Sequence, residues 1–304
     1  MILSSILTCL WLGVAAAGQN LTTRPNIIVV MTNDQDRLLG STDSQPILKH
    51  FGKFLNGYNT LLFQHGTPGF DHAEVLVDPY TYTFDNVVLS LNGEQPIHYP
   101  SYHQTDVLRV KAIGKLEELL GNESEPFFMM IAPAAPHNQD STGPTVPLQR
   151  HEDLFPNATA PRRPNFNPQN TVQQGKSAWV RDLDMMDSDL LAYSDFAFRR
   201  RVQALQGVDE IIEDVILTLE KSNAMENTYV IYTSDNGYHI GNFRLPPGKC
   251  LPYGEDTNLP FAVRGPGVPA GIVSKSPSTH VDLAATFIDI AGLPKEKWPA
   301  FLDG

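Results

Sequence analysis

Three apolar runs in this chain each give way at once to residues capable of chemistry. Asn26-Ile27-Ile28-Val29-Val30-Met31 leads into Thr32, then Asn33 and Asp34, with Asp36 nearby. Phe127 to Ala132 leads through Pro133-Ala134-Ala135-Pro136 to His137, and Tyr229 to Thr233 leads to Asp235 and Asn236. Carboxylate and amide oxygens brought together form a hard-oxygen site suited to Ca²⁺, with Mg²⁺ as the alternative. A histidine beside them can move a proton. Two lysines join the set: Lys53 in Gly52-Lys53-Phe54-Leu55-Asn56-Gly57-Tyr58 and Lys249 in Leu245-Pro246-Pro247-Gly248-Lys249. A lysine held by Gly/Pro-rich backbone can direct a charge at an anion. Taken singly, each Asp or Asn is more simply a turn or N-cap residue and each lysine a solvated one. Their repetition at matching strand ends favours a site.

The elements that must position these residues are buried parallel strands, because β-branched runs without charges need both faces covered. Open α/β sheets place their sites at the carboxyl ends of such strands. Helical periodicity is read over Lys111 to Leu120, over Leu183 to Lys221 with Asp, Glu and Arg on the outer face, and over Val281 to Ala291. Phe261 to Arg264 reads as a fourth strand before the turn Gly265-Pro266-Gly267, and Gly143 to Gln174 as a long surface loop. Strands alternating with helices imply a doubly wound sheet with helices on both faces.

The 304 residues, 41% hydrophobic, suffice for one large α/β domain. A net charge of -12, with no Lys/Arg cluster running along the chain, argues against nucleic acid as a partner. The same charge repels anions at long range, so an anion site here needs local positive charge. Residues 1–17 are apolar and end in Ala15-Ala16-Ala17, as a cleaved signal peptide does. That stretch is shorter than the ~20 residues of a membrane span, and no later segment could span a bilayer. Sequons at Asn20, Asn122 and Asn157 fit a secreted glycoprotein. Cys9 leaves with the signal peptide, so Cys250 has no intrachain partner.

Arg24-Pro25-Asn26 through Asn33-Asp34-Gln35 resembles the opening strand of type I sulfatases. Gly52 to Tyr58, Ala135-Pro136-His137, Ser234 to Gly241, Arg244 to Lys249, Val263 to Val268 and His280 to Ala284 are similar to that family's later motifs, in family order. The nearest branch is that of arylsulfatases and N-acetylglucosamine-6-sulfatases. The resemblance implies an alkaline-phosphatase-like α/β fold over 24–304, with a central mixed, mostly parallel sheet. It implies a Ca²⁺ held by Asn33, Asp34, Asp235 and Asn236. Lys53, His137 and Lys249 would grip the sulfate oxygens or assist the leaving group. The substrate would be a sulfate-ester small molecule or a sulfated glycan.

Three departures qualify this. The family's nucleophile is a formylglycine made from Cys-x-Pro-x-Arg, and no such motif occurs: Gly40 to Pro46 runs within six residues into Gly52-Lys53. The gap is set near 46–52. Cys250-Leu251-Pro252-Tyr253-Gly254 has Gly where Arg is needed, and Thr159-Ala160-Pro161-Arg162-Arg163 begins with Thr, which cannot become formylglycine. Asn33 stands where the family has Asp, which should weaken the cation site. The chain also stops before the family's smaller C-terminal subdomain. The expected product is a sulfatase-family chain that is itself inactive. The alternatives are a non-catalytic binder of sulfated glycan or Ca²⁺ and, from the same superfamily, a phosphodiesterase or phosphatase with a two-metal site.

Overall fold

The computed structural model describes residues 24–33, 47–121, 125–140, 143–300 and 302. The strands are β1 (Asn26–Thr32), β2 (Ile47–Gly52), β3 (His72–Leu76), β4 (Asn86–Leu91), β5 (Ile97–Pro100), β6 (Phe127–Ala132), β7 (Thr228–Ser234) and β8 (Phe261–Arg264). They form one sheet in the order β5-β4-β3-β2-β6-β1-β7-β8. The pairs around β1, β2, β6, β7 and β3 are parallel, while β4, β5 and β8 are added antiparallel. Every residue of β1 and β6 is buried, as their uncharged sequences demand.

The alternation along β1 divides the core. Ile28 and Val30, with Met129 and Ile131 of β6, pack beneath α1 (Gln104–Gly121) and the long α4 (Ser188–Lys221). Ile27, Val29 and Met31 face Phe287 of α6 (Val281–Ile290) on the other side. Ala204, Val208, Ile211, Val215 and Leu219 form the stripe that lays α4 on the sheet. The Asp187 carboxylate caps that helix by accepting from the amides of Asp189 and Leu190. Single-turn helices α2 (Asn170–Gln173), α3 (Ala178–Arg181) and α5 (Gly254–Thr257) lie in the connections.

Several sequence expectations change. Ile47–Gly52, where the gap was set, is strand β2, paired along its length with β6. A missing block would therefore fall upstream of Ile47. The 143–174 segment is more than a surface loop: Thr145, Leu148, Ala160 and Gln173 are buried, and Gln173 Nε2 donates to Phe243 O at 3.0 Å. The fourth strand stands where the sequence places it, as β8, joined antiparallel with Phe261 half exposed. α1 begins at Gln104, well before Lys111, and α4 begins at Ser188 instead of Leu183.

β2 escapes a hydrophobic-run reading because it contains Lys49 and His50, both buried. His50 meets the edges of Phe54 and Phe70, and its Nε2 bonds Lys53 O at 3.0 Å. Burial drives its pKa from 6.5 down to about 3. The folded state thus favours neutral His50, whereas the unfolded chain takes up the proton below its ordinary pKa. The contribution is complete above that pKa and is lost as pH falls toward the folded value, by about 1.4 kcal/mol per pH unit. Burial lowers His103, His137 and His280 as well, which adds to acid sensitivity. Urea unfolding of wild type and His50→Gln, compared between about pH 6.5 and 5.5, should show a loss smaller by about 1 kcal/mol in the variant. Equal losses in both proteins would remove His50 from the acid response.

Candidate anion and metal site at the strand ends

Because β2, β6, β1 and β7 are adjacent and parallel, their carboxyl ends share one rim. Four strand ends, not three, carry the candidates. Lys53 is delivered by β2 itself and not by a free loop. Its amide donates to Ala132 O at 2.9 Å, which continues the β2–β6 ladder by one bond. Its side chain is buried, and Nζ donates to Asn33 Oδ1 at 3.2 Å. Asn33 in turn donates its amide to Pro133 O at 3.2 Å. Asn33 is therefore well surrounded. Asp34, the other candidate ligand after β1, lies outside the described residues, as do Asn20 and Asn122.

After β7, the Asp235 amide donates to Thr32 O at 3.1 Å and so sits beside Asn33. The Asn236 side-chain amide donates to Gly237 O at 2.8 Å. Asp235 Oδ2 is buried and has no hydrogen-bond partner among the described residues. A buried carboxylate oxygen left unmatched is costly unless a cation or proton satisfies it. The donor set therefore fits a hard divalent ion. Among the described residues no three His, Cys, Asp or Glu side chains converge, so the set depends on amides and on Asp34.

His137 and Lys249 line an adjoining open cleft of about 420 Å³, together with Tyr82, Asn138, Asp140 and Tyr238. Asn33, Asp235 and Asn236 do not line it. Tyr82 connects the two parts: Lys53 Nζ lies 5.2 Å from its ring centre, and His137 stacks on it at 4.1 Å. His137 Nδ1 donates to Asn138 O at 2.8 Å, which leaves Nε2 as the acceptor nitrogen of the neutral ring. Burial, and then the charge of Arg201, holds its pKa below the ordinary value. Lys249 is lowered by burial. It follows Gly248, which exchanges both backbone hydrogen bonds with His239 (2.9 and 3.0 Å). His239 Nδ1 meets the Asp256 carboxylate at 2.7 Å, so a buried pair fixes the segment that carries Lys249.

The sequence reading missed Tyr82, Asn138, Arg201 and the His239–Asp256 pair. Of these only His239 lies within a family-like motif, Ser234 to Gly241. Arg201 departs from the expected outer face of its helix. It is partly buried, with its guanidinium 3.9 Å from the Tyr238 ring. Cys250 is exposed, Asn157 and Thr159 are exposed in a turn and the strand-free segment after it, and none of the three lines the cleft.

The sulfatase family model matches residues 22–293. "Sulfatase ppz1" of Metarhizium majus is 39% identical over 87% of this chain and 62% of its own length. The arylsulfatase of Volvox carteri is 34% identical over 84% of this chain and 42% of its own. Human N-acetylglucosamine-6-sulfatase is 36% identical over 81% and 44%. The chain thus spans less than two thirds of each of these relatives. Among solved structures, BT4656 in complex with its substrate D-glucosamine-2-N,6-O-disulfate superimposes with a TM-score of 0.70. At 21% identity, over 93% of this chain and 79% of that one, it shares the fold. With its sheet, strand-end residues and matched length, the chain belongs to the sulfatase family.

Proposed function

We propose that the strand-end site is a sulfate-ester site of this family, and that the chain as it stands binds its ester without turning it over. The observation that carries this is the buried Lys53 ammonium on Asn33, beside a β7 end where Asp235 Oδ2 has no partner among the described residues. In a chain of net charge -12, Lys53 and Lys249 supply the local positive charge an anionic ester requires. Asn33, Asp34, Asp235 and Asn236 would hold Ca²⁺, which when bound neutralises charge on the sulfuryl oxygens. His137 presents a neutral ring on the cleft wall. The relatives named for N-acetylglucosamine 6-sulfate, and the Tyr82 and Tyr238 rings on the cleft, favour a sulfated sugar over a simple aryl sulfate. Extracellular sulfatase relatives and the exposed Asn157 support a secreted glycoprotein. No helix among the described residues is long and apolar enough to cross a membrane.

Calorimetric titration with glucosamine 6-sulfate tests the reading. Lys53→Ala should weaken binding by roughly tenfold or more, since a hydrogen bond to a charged group contributes about 1.5–3 kcal/mol. Equal affinity of wild type and variant would overturn it. A second titration addresses the metal. Asn33→Asp restores a carboxylate beside Lys53 and should tighten Ca²⁺ roughly tenfold, about 1.4 kcal/mol. Unchanged Ca²⁺ affinity would count against Asn33 as a ligand.

A further inference from the structure

His137 is bracketed by two residues that one side chain controls. Arg201 Nη1 donates to Pro136 O at 2.8 Å, immediately before His137. The same guanidinium lies 3.9 Å from the Tyr238 ring centre. The Tyr238 hydroxyl accepts from Asn138 Nδ2 at 3.0 Å, immediately after His137. Asn138 O is the acceptor for His137 Nδ1 at 2.8 Å. The contacts form a closed circuit: Arg201, Pro136, His137, Asn138, Tyr238 and back to Arg201.

We infer that Arg201 is a positioning residue for His137, holding the imidazole in the tautomer whose Nε2 is a lone-pair acceptor on the ester cleft. The functional part of this inference rests on the reading of that cleft given above. A purely structural filler at position 201 would not need a charge. Among the described residues Arg201 forms no ion pair, and desolvating an unpaired guanidinium is costly where an apolar side chain could pack. The charge has a use here, because a cation beside the imidazole opposes formation of imidazolium. The other groups around the ring act in the same sense or weakly. Tyr82 and Tyr238 are neutral phenols, Lys53 and Lys249 are cations, and Asp140 is exposed and accepts from Thr83 Oγ1 at 3.2 Å. His137 is therefore a group that accepts a hydrogen bond or a proton at Nε2, and not a donor toward a sulfate oxygen.

The test is the nitrogen spectrum of the histidine rings in ¹⁵N-histidine-labelled protein without ligand, with His137 assigned by His137→Gln. Wild type should show one tautomer, with a protonated Nδ1 and a pyridine-like Nε2. Arg201→Met should shift both nitrogens toward averaged values, and Arg201→Lys, which keeps the charge and a donor for Pro136 O, should recover most of the wild-type pattern. Tyr238→Phe, which cuts the tie to Asn138 and leaves the ring beneath Arg201, should also give averaged shifts and decides the matter if Arg201→Met does not fold. A protonated Nε2 in wild type, wild-type shifts in a folded Arg201→Met, or, should that variant not fold, wild-type shifts in Tyr238→Phe, would overturn the inference. Because no sulfate is present, the result stands apart from the Lys53→Ala titration. Loss of sulfate binding as a property of the cleft would sink the functional reading and leave the tautomer result intact.

Discussion

Purified protein of this sequence is expected to hydrolyse a chromogenic aryl sulfate no faster than buffer. Sulfate-ester cleavage by this family begins with attack of a formylglycine hydroxyl, and no Cys-x-Pro-x-Arg occurs in the 304 residues. Binding and charge stabilisation remain, from Lys53, Lys249 and a cation. In hydrolases stripped of their nucleophile such groups alone leave roughly 10³–10⁴-fold over water, which for a slow uncatalysed ester is invisible in a colour assay. Cys250 does not fill the gap, since it is exposed and outside the cleft lining. Turnover that disappears in Lys53→Ala would overturn the expectation. Since Ile47–Gly52 is already sheet, we propose that the gene encodes an in-frame Cys-x-Pro-x-Arg or Ser-x-Pro-x-Arg block upstream of the Ile47 codon. Transcripts and genome that both join the flanking codons directly would instead make this a natural binder.

The second large effect is expected at Gly52, where Gly52→Ala should cost about 4 kcal/mol or more and loosen Lys53 as well. Its φ of 110° lies where L side chains are strained. A Cβ there would sit 2.1 Å from Ala132 O, a backbone atom of the central strand β6 that cannot yield without moving the sheet. That same carbonyl accepts the Lys53 amide, so relief of the clash comes at the bond that places the lysine. Gly57 is the control. Its φ is 76° but nothing among the described residues lies within 4 Å of its Cβ position, so Gly57→Ala should cost only about 1–2 kcal/mol. Equal urea midpoints for the two variants would refute this account.

Legibility in the sequence followed burial on both faces. β1, β6 and β7 could be read because a central parallel strand has no polar side and leaves an unbroken apolar run. Their polar sequels, Asn33, His137, Asp235 and Asn236, were legible for the same reason. Between Tyr58 and Lys111 the sequence shows no such run, because β3, β4 and β5 are short and only partly buried. β2 was obscured by Lys49 and His50, whose burial depends on neighbours distant in sequence. Without β2, Lys53 reads as a loop lysine, and its bond to Asn33 is invisible. Arg201 is the same problem inverted. On a charged helix a cation reads as solvated, and only the approach of Tyr238 and Pro136, from other parts of the chain, turns it inward.

The pairing of β1 with β7 also sets a clock on synthesis. Asn26 Nδ2 bonds Thr228 Oγ1, 202 residues further along, and the ladder between these strands runs in register from Asn26–Thr228 to Thr32–Ser234. At about 5–20 residues per second, roughly 10–40 s separate translation of the first strand from that of its partner. Through that interval Ile27 to Met31 has one long flank without a mate. Codon changes that slow the ribosome between the two strands should therefore lower soluble yield even though every amino acid is unchanged.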